Sequence, residues 1–303
     1  MTDVQTSATA CNVCGSRLAP LYRSVRDPQT GEMFRIDRCG GCGLGQTLPQ
    51  PANLGPYYGA QYHGGRHGLS EAMCMRRRLN FIDQIAAPGR LLDFGCGDGG
   101  FLTAATNADW ETFGVEVNPD HARATGATVV EQIEQVEGLF NVITLWHSLE
   151  HVRSPRDCVA NLLPFLVPGG HLIIAVPNWS SLQACVFGRQ WFHADVPRHL
   201  FHFTPVALKQ LLEAAGLTIV RRWNLEAEID LFGWTQSALN VFLPHPNVLF
   251  DTLTRRKRPH GVAEIAVSVG FGTLLTALCA PVLPIAAGLG RGGIMIVAAQ
   301  HVG

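Results

Sequence analysis

Arg90-Leu91-Leu92-Asp93-Phe94-Gly95-Cys96-Gly97-Asp98-Gly99-Gly100 decides the fold of this chain. Arg90–Phe94 is a short apolar run suited to a buried parallel strand. It breaks into glycines at alternate positions, Gly95, Gly97 and Gly99, and Phe101–Ala108 then follows a helical pattern. Strand, glycine turn and helix N-terminus make a ligand-binding arrangement, because glycines let the backbone approach a ligand and free N–H groups point at anionic groups. The next strand, Thr112–Val117, carries Glu116 about 20 positions downstream, the spacing at which a carboxylate accepts from ribose hydroxyls.

Gly95, Gly97 and Gly100 also spell the dinucleotide fingerprint G-x-G-x-x-G, so the glycines alone leave NAD open. Asp93 favours a ligand with positive charge over a pyrophosphate. Two later segments add weight: Leu145-Trp146-His147-Ser148-Leu149-Glu150-His151-Val152, and Pro168-Gly169-Gly170 leading into His171–Val176 and Pro177-Asn178. With these, the chain resembles the class I S-adenosylmethionine (SAM)-dependent methyltransferases of the UbiG-like type. The resemblance implies an α/β, doubly wound, seven-stranded Rossmann-like sheet whose last strand is antiparallel. It implies SAM as cofactor, with Asp93, Gly95, Cys96, Gly97, Gly99, Glu116, Val117 and Trp146 around it. Glu131 or Gln132, just past the third strand at 127–130, would meet the adenine edge.

At 303 residues the chain suits one full α/β domain plus a small appendage. A net charge of −1 provides no basic field to recruit nucleic acid. Residues 1–10 are polar and lack the apolar core of a signal peptide. Nine cysteines, an odd number, point to a reducing cytoplasm.

Cys11-Asn12-Val13-Cys14-Gly15 and Cys39-Gly40-Gly41-Cys42-Gly43 are two knuckles. Each presents a pair of thiolates, and two pairs close a tetrahedral Zn²⁺ site with no position left for substrate. The expectation is a structural zinc ribbon over 1–47, its strands Leu18–Val25 and Glu32–Asp37 joined by the turn 27–31. Residues 48–70, rich in Pro, Gly and aromatics, read as a linker before a catalytic domain at 71–303. Zinc-ribbon methyltransferases carry a similar run, so Tyr57 and Tyr58 line the substrate entrance or simply pack the ribbon; Tyr62, His63 and His67 belong to the same stretch.

His147, Glu150 and His151 stand at i, i+3 and i+4 and would share one face of a helical turn. The resembled enzymes have Glu-x-x-Glu-His here, a set able to hold a divalent metal. An imidazole suits hard Mg²⁺ less well, so His147 is read as a general base or metal ligand. Residues 178–195 hold Trp179, Trp191, Phe192 and His193, as a lid over a pocket would. Pro197-Arg198-His199-Leu200-Phe201-His202-Phe203-Thr204 resembles a segment of family members acting on sugars, lipids and quinones. Arg198 is expected to clamp an anionic group, His199 to accept a substrate proton, and His202 to contact substrate.

After a sixth strand at 217–223, the best seventh strand is 293–299, so 225–291 is a hydrophobic helical insertion between them. It contains the basic run Arg255-Arg256-Lys257-Arg258 and then 265–289, which carries no charge. Both flanking strands belong to one sheet, and Pro281 and Pro284 split the apolar run, so a single membrane crossing is disfavoured. The expectation is a peripheral, monotopic membrane contact through 231–290 on the inner face of the membrane; a lid packed on the domain or on a homodimer partner is the alternative.

The expected activity is methyl transfer from SAM to a small-molecule or lipid-linked acceptor, such as a sugar, quinone or polyprenol-linked glycan, at oxygen or carbon. Two other readings stand beside it: an RNA methyltransferase using the ribbon to bind RNA, and a catalytically silent SAM-fold scaffold. The strand before His147 lacks the Asn/Asp-Pro-Pro-Tyr/Phe motif used on base amino groups, which argues against nucleic acid.

Overall fold

The computed structural model describes residues 9–58, 69–254 and 260–301. Tyr62, His63, His67 and the basic run 255–258 lie outside the described residues. The strands are β1 (Leu18–Arg26), β2 (Met33–Cys39), β3 (Gly45–Leu48), β4 (Arg90–Phe94), β5 (Glu111–Val115) and β6 (Thr128–Val130). They continue with β7 (Phe140–Trp146), β8 (Leu166–Pro177), β9 (Phe201–His202), β10 (Leu217–Trp223) and β11 (Ile294–His301). The chain divides into two compact units: 1–66 with 177–207 and 224–295, and 67–176 with 208–223 and 296–303.

The second unit is built on a seven-stranded sheet in the order β10-β11-β8-β7-β4-β5-β6. β4 runs parallel to both β5 and β7, and β11 antiparallel to β10. The central strands are apolar on both faces, with Leu91, Leu92, Ile143, Leu145, Ile173 and Ile174 fully buried. That composition suits a parallel sheet covered on both sides. From β4 the chain steps outward to β5 and β6, then returns to the other side of β4 as β7. The C-terminal ends of β4 and β7 therefore form a topological switch point, where ligands bind in open α/β sheets. The expected mixed sheet and its antiparallel last strand are both present.

The helices of this unit begin where their caps allow. Leu69–Asp83 precedes β4, and Gly100–Thr106 follows the glycine turn. Pro155–Leu162 starts at Ser154, whose hydroxyl accepts from Asp157 N–H at 3.3 Å. The helix Pro205–Ala214 starts at Thr204, which accepts from Ala207 N–H at 3.1 Å with Pro205 in the first turn.

In the first unit the ribbon strands are not a separate module. Their sheet has the order β1-β2-β3-β9, and β9 is contributed by residues 201–202, with Gly45 opposite His202 and Gln46 opposite Phe201. The expected boundaries, a ribbon ending at 47 and one catalytic domain from 71, thus differ from the observed units. The reason is that β3 would otherwise be a bare edge, and β9 pairs with it.

The expected lid at 178–195 is a core instead. Trp179 and Trp191 are buried with Val25, Phe34, Ile36 and Tyr57 in one cluster. Trp179 stacks on Trp191 and on the His202 ring at centroid distances of 5.7 and 4.5 Å. The insertion is helical, at Ala227–Phe242, Val248–Leu253, Val262–Cys279 and Val282–Gly288. Asp230 anchors its start by accepting from the N–H groups of Glu226 and Gly293, while burial pushes its carboxyl up to about 7.

Candidate active site

Each glycine after β4 has its own reason. Gly95, at φ 75°, is pressed against Ser148: a Cβ there would lie 2.5 Å from the hydroxyl oxygen. Gly97, at φ 58°, faces open space, so a side chain would strain the backbone and fill the cradle. Gly99 lies in the left-handed region at the N-cap of Gly100–Thr106. Glu116, just past β5, reaches back over this turn: its Oε2 accepts from Gly97 N–H at 3.0 Å and its Oε1 from Asn118 N–H at 3.2 Å. The acid thus faces the crevice, as the spacing requires. The next residue, Val117, is 78 % exposed, an apolar side chain held in water at the rim.

Asp93 is buried, and Thr144 donates its hydroxyl proton to Oδ1 at 2.6 Å. Burial pushes the Asp93 carboxyl up to about 6; the Thr144 bond and the Arg78 charge oppose the rise, and Glu116 adds to it. Arg78 itself is buried, with its guanidinium 4.9 Å from the Trp146 ring centroid. Trp146 also packs edge-on against Phe101 at 5.5 Å, and its buried indole N–H has no hydrogen-bond partner among the described residues.

These groups fit SAM. Asp93 and Arg78 form an acid–base pair suited to the ammonium and carboxylate of an amino acid, a zwitterion that NAD lacks. Glu116 suits the ribose diol and the open face of Gly97 admits the ligand backbone-close. The Cys96 side chain is turned away from the cradle. Its thiol is buried where a Cβ on Gly114 would come within 2.7 Å, and its N–H donates to Val115 O at 3.2 Å, so it serves packing. Glu131 and Gln132 both give their N–H groups to Gln135 Oε1, at 3.0 Å each.

Arg78 was not singled out in the sequence. A signal existed, since it falls on the helix face of Met75 and Ile82, and a charge on an apolar face implies a buried partner.

His147 leaves the end of β7 at φ 54°, its N–H bonded to Ala175 O at 2.9 Å. The left-handed residue breaks the helical phase, and Leu149–His151 is a single 3₁₀ turn. His147 Nδ1 lies 3.7 Å from Glu150 Oε1, but His147, Glu150 and His151 do not converge as one donor group among the described residues. A His147–Glu150 pair remains, with the carboxylate buried.

In the first unit, Arg198 does not offer a clamp. Its Nη1 and Nη2 each donate to Asp27 Oδ1 at 3.1 Å, Nε donates to Asp195 at 2.9 and 3.0 Å, and Nη1 also donates to Tyr57 O at 2.9 Å. Asp27 is fully buried and also organises the ribbon turn by accepting from Gln29 and Thr30. An arginine so committed fixes the ribbon turn to the 195–198 loop. His202 is likewise structural, with Nε2 2.9 Å from Thr47 Oγ1 in the β3–β9 pairing. Tyr57 packs edge-on against Phe34 and donates to Glu32 at 2.6 Å, which selects the packing reading. Tyr58 is half-buried beside it. His199 is buried with Nδ1 2.8 Å from His193 O and Nε2 4.0 Å from Asp195 Oδ2.

The four ribbon cysteines come together. Cys11 and Cys42 sulfurs are 3.6 Å apart, Cys14 and Cys39 sulfurs 3.3 Å, and all four lie within 4.8 Å of one another. Tetrahedral zinc with bonds of about 2.3 Å requires sulfurs roughly 3.8 Å apart. Backbone N–H groups already point at the sulfurs, from Val13 to Cys11 at 3.4 Å and from Gly41 to Cys39 at 3.3 Å. Gly15 and Gly43 turn both knuckles at positive φ. The donor set fits a zinc ion.

Residues 66–222 match the family model described as methyltransferase domain. Among curated proteins, the chain is 27 % identical over 187 residues to a ubiquinone biosynthesis O-methyltransferase of Burkholderia thailandensis, covering 51 % of this chain and 81 % of the relative. It is 27 % identical over 165 residues to the protein of that name from Coxiella burnetii, covering 47 % and 70 %. Among solved structures, a SAM-dependent methyltransferase from Archaeoglobus fulgidus aligns with a TM-score of 0.48 and 20 % identity, over 77 % of this chain and 95 % of that one.

Proposed function

Because the chain belongs to the methyltransferase domain family and is a SAM-dependent methyltransferase, we propose that it methylates a small-molecule or lipid-linked acceptor at oxygen or carbon, with His147 as proton acceptor. The observation that carries this is the arrangement at the switch point: the Gly97 cradle, Glu116 turned onto it, and the Asp93–Arg78 pair beside it. SAM, when bound there, supplies an electrophilic methyl group on a sulfonium. Glu116 would hold its ribose, Asp93 its ammonium and Arg78 its carboxylate. In-line displacement then asks of the protein alignment and exclusion of water.

A hydroxyl or carbon acid must also lose a proton. His147 stands at the C-terminal end of β7 in the same unit as the cofactor cradle, and the buried carboxylate of Glu150 beside Nδ1 stabilises an imidazolium once formed. The relatives' names support a hydroxyl as the first acceptor to test. The closed set Cys11, Cys14, Cys39 and Cys42 is assigned to a structural Zn²⁺.

The purified enzyme is incubated with methyl-labelled SAM and an extract of lipids and small metabolites, and products are followed by mass. The expected result is one species that gains a methyl group for a hydrogen. Glu116→Ala should lose SAM affinity, and His147→Ala should lose turnover while still binding SAM. Label appearing in RNA would transfer the assignment to the RNA-modifying reading. SAM binding with no labelled product in any fraction would support the silent scaffold.

A further inference from the structure

We propose that the helix Val262–Cys279 docks on the surface of an anionic lipid bilayer, lying along the headgroup boundary without crossing it. The inference is independent of which acceptor is methylated. It starts from a helix whose large apolar side chains mostly face outward. The stripe packed inward is Ile265, Ser268, Gly272, Thr276 and Cys279, of which Ser268 and Gly272 are fully buried, and Thr276 Oγ1 meets Thr235 Oγ1 of Ala227–Phe242 at 2.9 Å. A Cβ on Gly272 would already stand 3.0 Å from Leu249, so the small stripe is what allows close packing. The hydroxyl of Ser268 is buried with no hydrogen-bond partner among the described residues.

The face turned outward is apolar. Val267, Phe271, Leu274 and Leu278 are 52, 36, 53 and 63 % exposed, and Phe242 and Ile285 extend the patch at 66 and 61 %. Phe242 and Phe271 pack edge-on at 5.8 Å, which makes the surface continuous from one helix to the next. A water-soluble helix shows the opposite polarity, and patches of this kind mark an interaction surface.

Two observations select lipid over a second copy of the chain. Charge is distributed as a bilayer surface requires: four consecutive cations, Arg255-Arg256-Lys257-Arg258, precede the helix in the sequence, and no charge occurs from 265 to 289. Phosphatidylglycerol-type headgroups attract the first and acyl chains accept the second. The outward face also lacks donors to set a protein partner's register. Thr273, its one hydroxyl side chain, bonds back to Val269 O at 2.8 Å, whereas protein interfaces carry about one hydrogen bond per 100–200 Å².

Topology, not length, argues against crossing. At eighteen residues the helix is long and apolar enough to span a bilayer, but the segment leaves from β10 and returns to its antiparallel neighbour β11, and the next helix, Val282–Gly288, has only seven residues for a return.

The test is cosedimentation of the full-length protein with vesicles of phosphatidylethanolamine and phosphatidylglycerol, and separately of phosphatidylcholine alone. Pelleting with the anionic vesicles is expected. The doubly substituted Leu274→Glu/Leu278→Glu protein should lose it by about tenfold or more, while its circular dichroism and SAM affinity stay unchanged. Leu139→Glu, at an exposed apolar site elsewhere, should pellet like wild type. No pelleting, or equal pelleting of the double variant, overturns the proposal. So does a dimer seen by light scattering that the double substitution splits, because a second copy would then cover the face.

Discussion

Replacing Asp93 with Asn should make the protein more stable and worse at its task. The buried carboxyl is pushed up to about 6 by desolvation, although Thr144 donates to it and Arg78 is near. Lifting a carboxyl by about 2 pH units from its ordinary value corresponds to about 3 kcal/mol. An acid raised on folding stabilises the native state fully below its unfolded value, near 4, and loses that contribution as pH rises through 6. Asn imitates the protonated form and can still accept from Thr144. The stability difference between Asp93→Asn and wild type should therefore be near zero at pH 3.5, grow with pH, and level off at about 3 kcal/mol above pH 7.

Ligand binding should move the other way. Losing a charged partner for the ammonium should weaken SAM by about 10- to 100-fold. Wild-type affinity should also fall as pH drops through 6, a dependence the variant lacks. Urea unfolding across this range and SAM titration calorimetry at pH 5 and 8 measure both effects. A variant no more stable than wild type at pH 8, or one that binds SAM equally well, would refute the assignment of a strained, functional carboxylate.

Arg198→Met separates a structural arginine from a substrate clamp. Removing one partner of a buried ion pair leaves Asp27 uncompensated and should cost about 3–5 kcal/mol, and the second substitution Asp27→Asn should recover much of it. Normal stability with selective loss of turnover would restore the clamp. For the ribbon, metal analysis should find one zinc per chain, and Cys14→Ser or a strong chelator should release it and unfold the β1–β2 hairpin; a metal-free protein with the hairpin's amide protection intact would contradict a structural zinc site.

The local signals in the sequence read true where the physics is local. Apolar runs broken by glycine placed β4 and its turn, and the paired Cys-x-x-Cys motifs gathered four sulfurs that share one site. Each depends on backbone conformation or spacing within a few residues. Glu116 could also be found, because a strand, a helix and a strand of ordinary length set its distance from Gly97.

Tertiary structure decided whatever depends on which groups fold adds to a side chain's surroundings. Arg198, His202 and Tyr57 look equally fit for substrate in one dimension, and only the packing of β9 onto β3 and of Asp27 against the 195–198 loop gave them structural partners. Trp179 and Trp191 read as a lid because aromatics without periodicity suit one, yet burial made them core. Arg78 became a cofactor candidate when its helix brought it beside Asp93 and Trp146. His147 leaves the helical phase that its spacing from Glu150 and His151 suggests because it is a left-handed residue, a conformation that spacing alone does not encode.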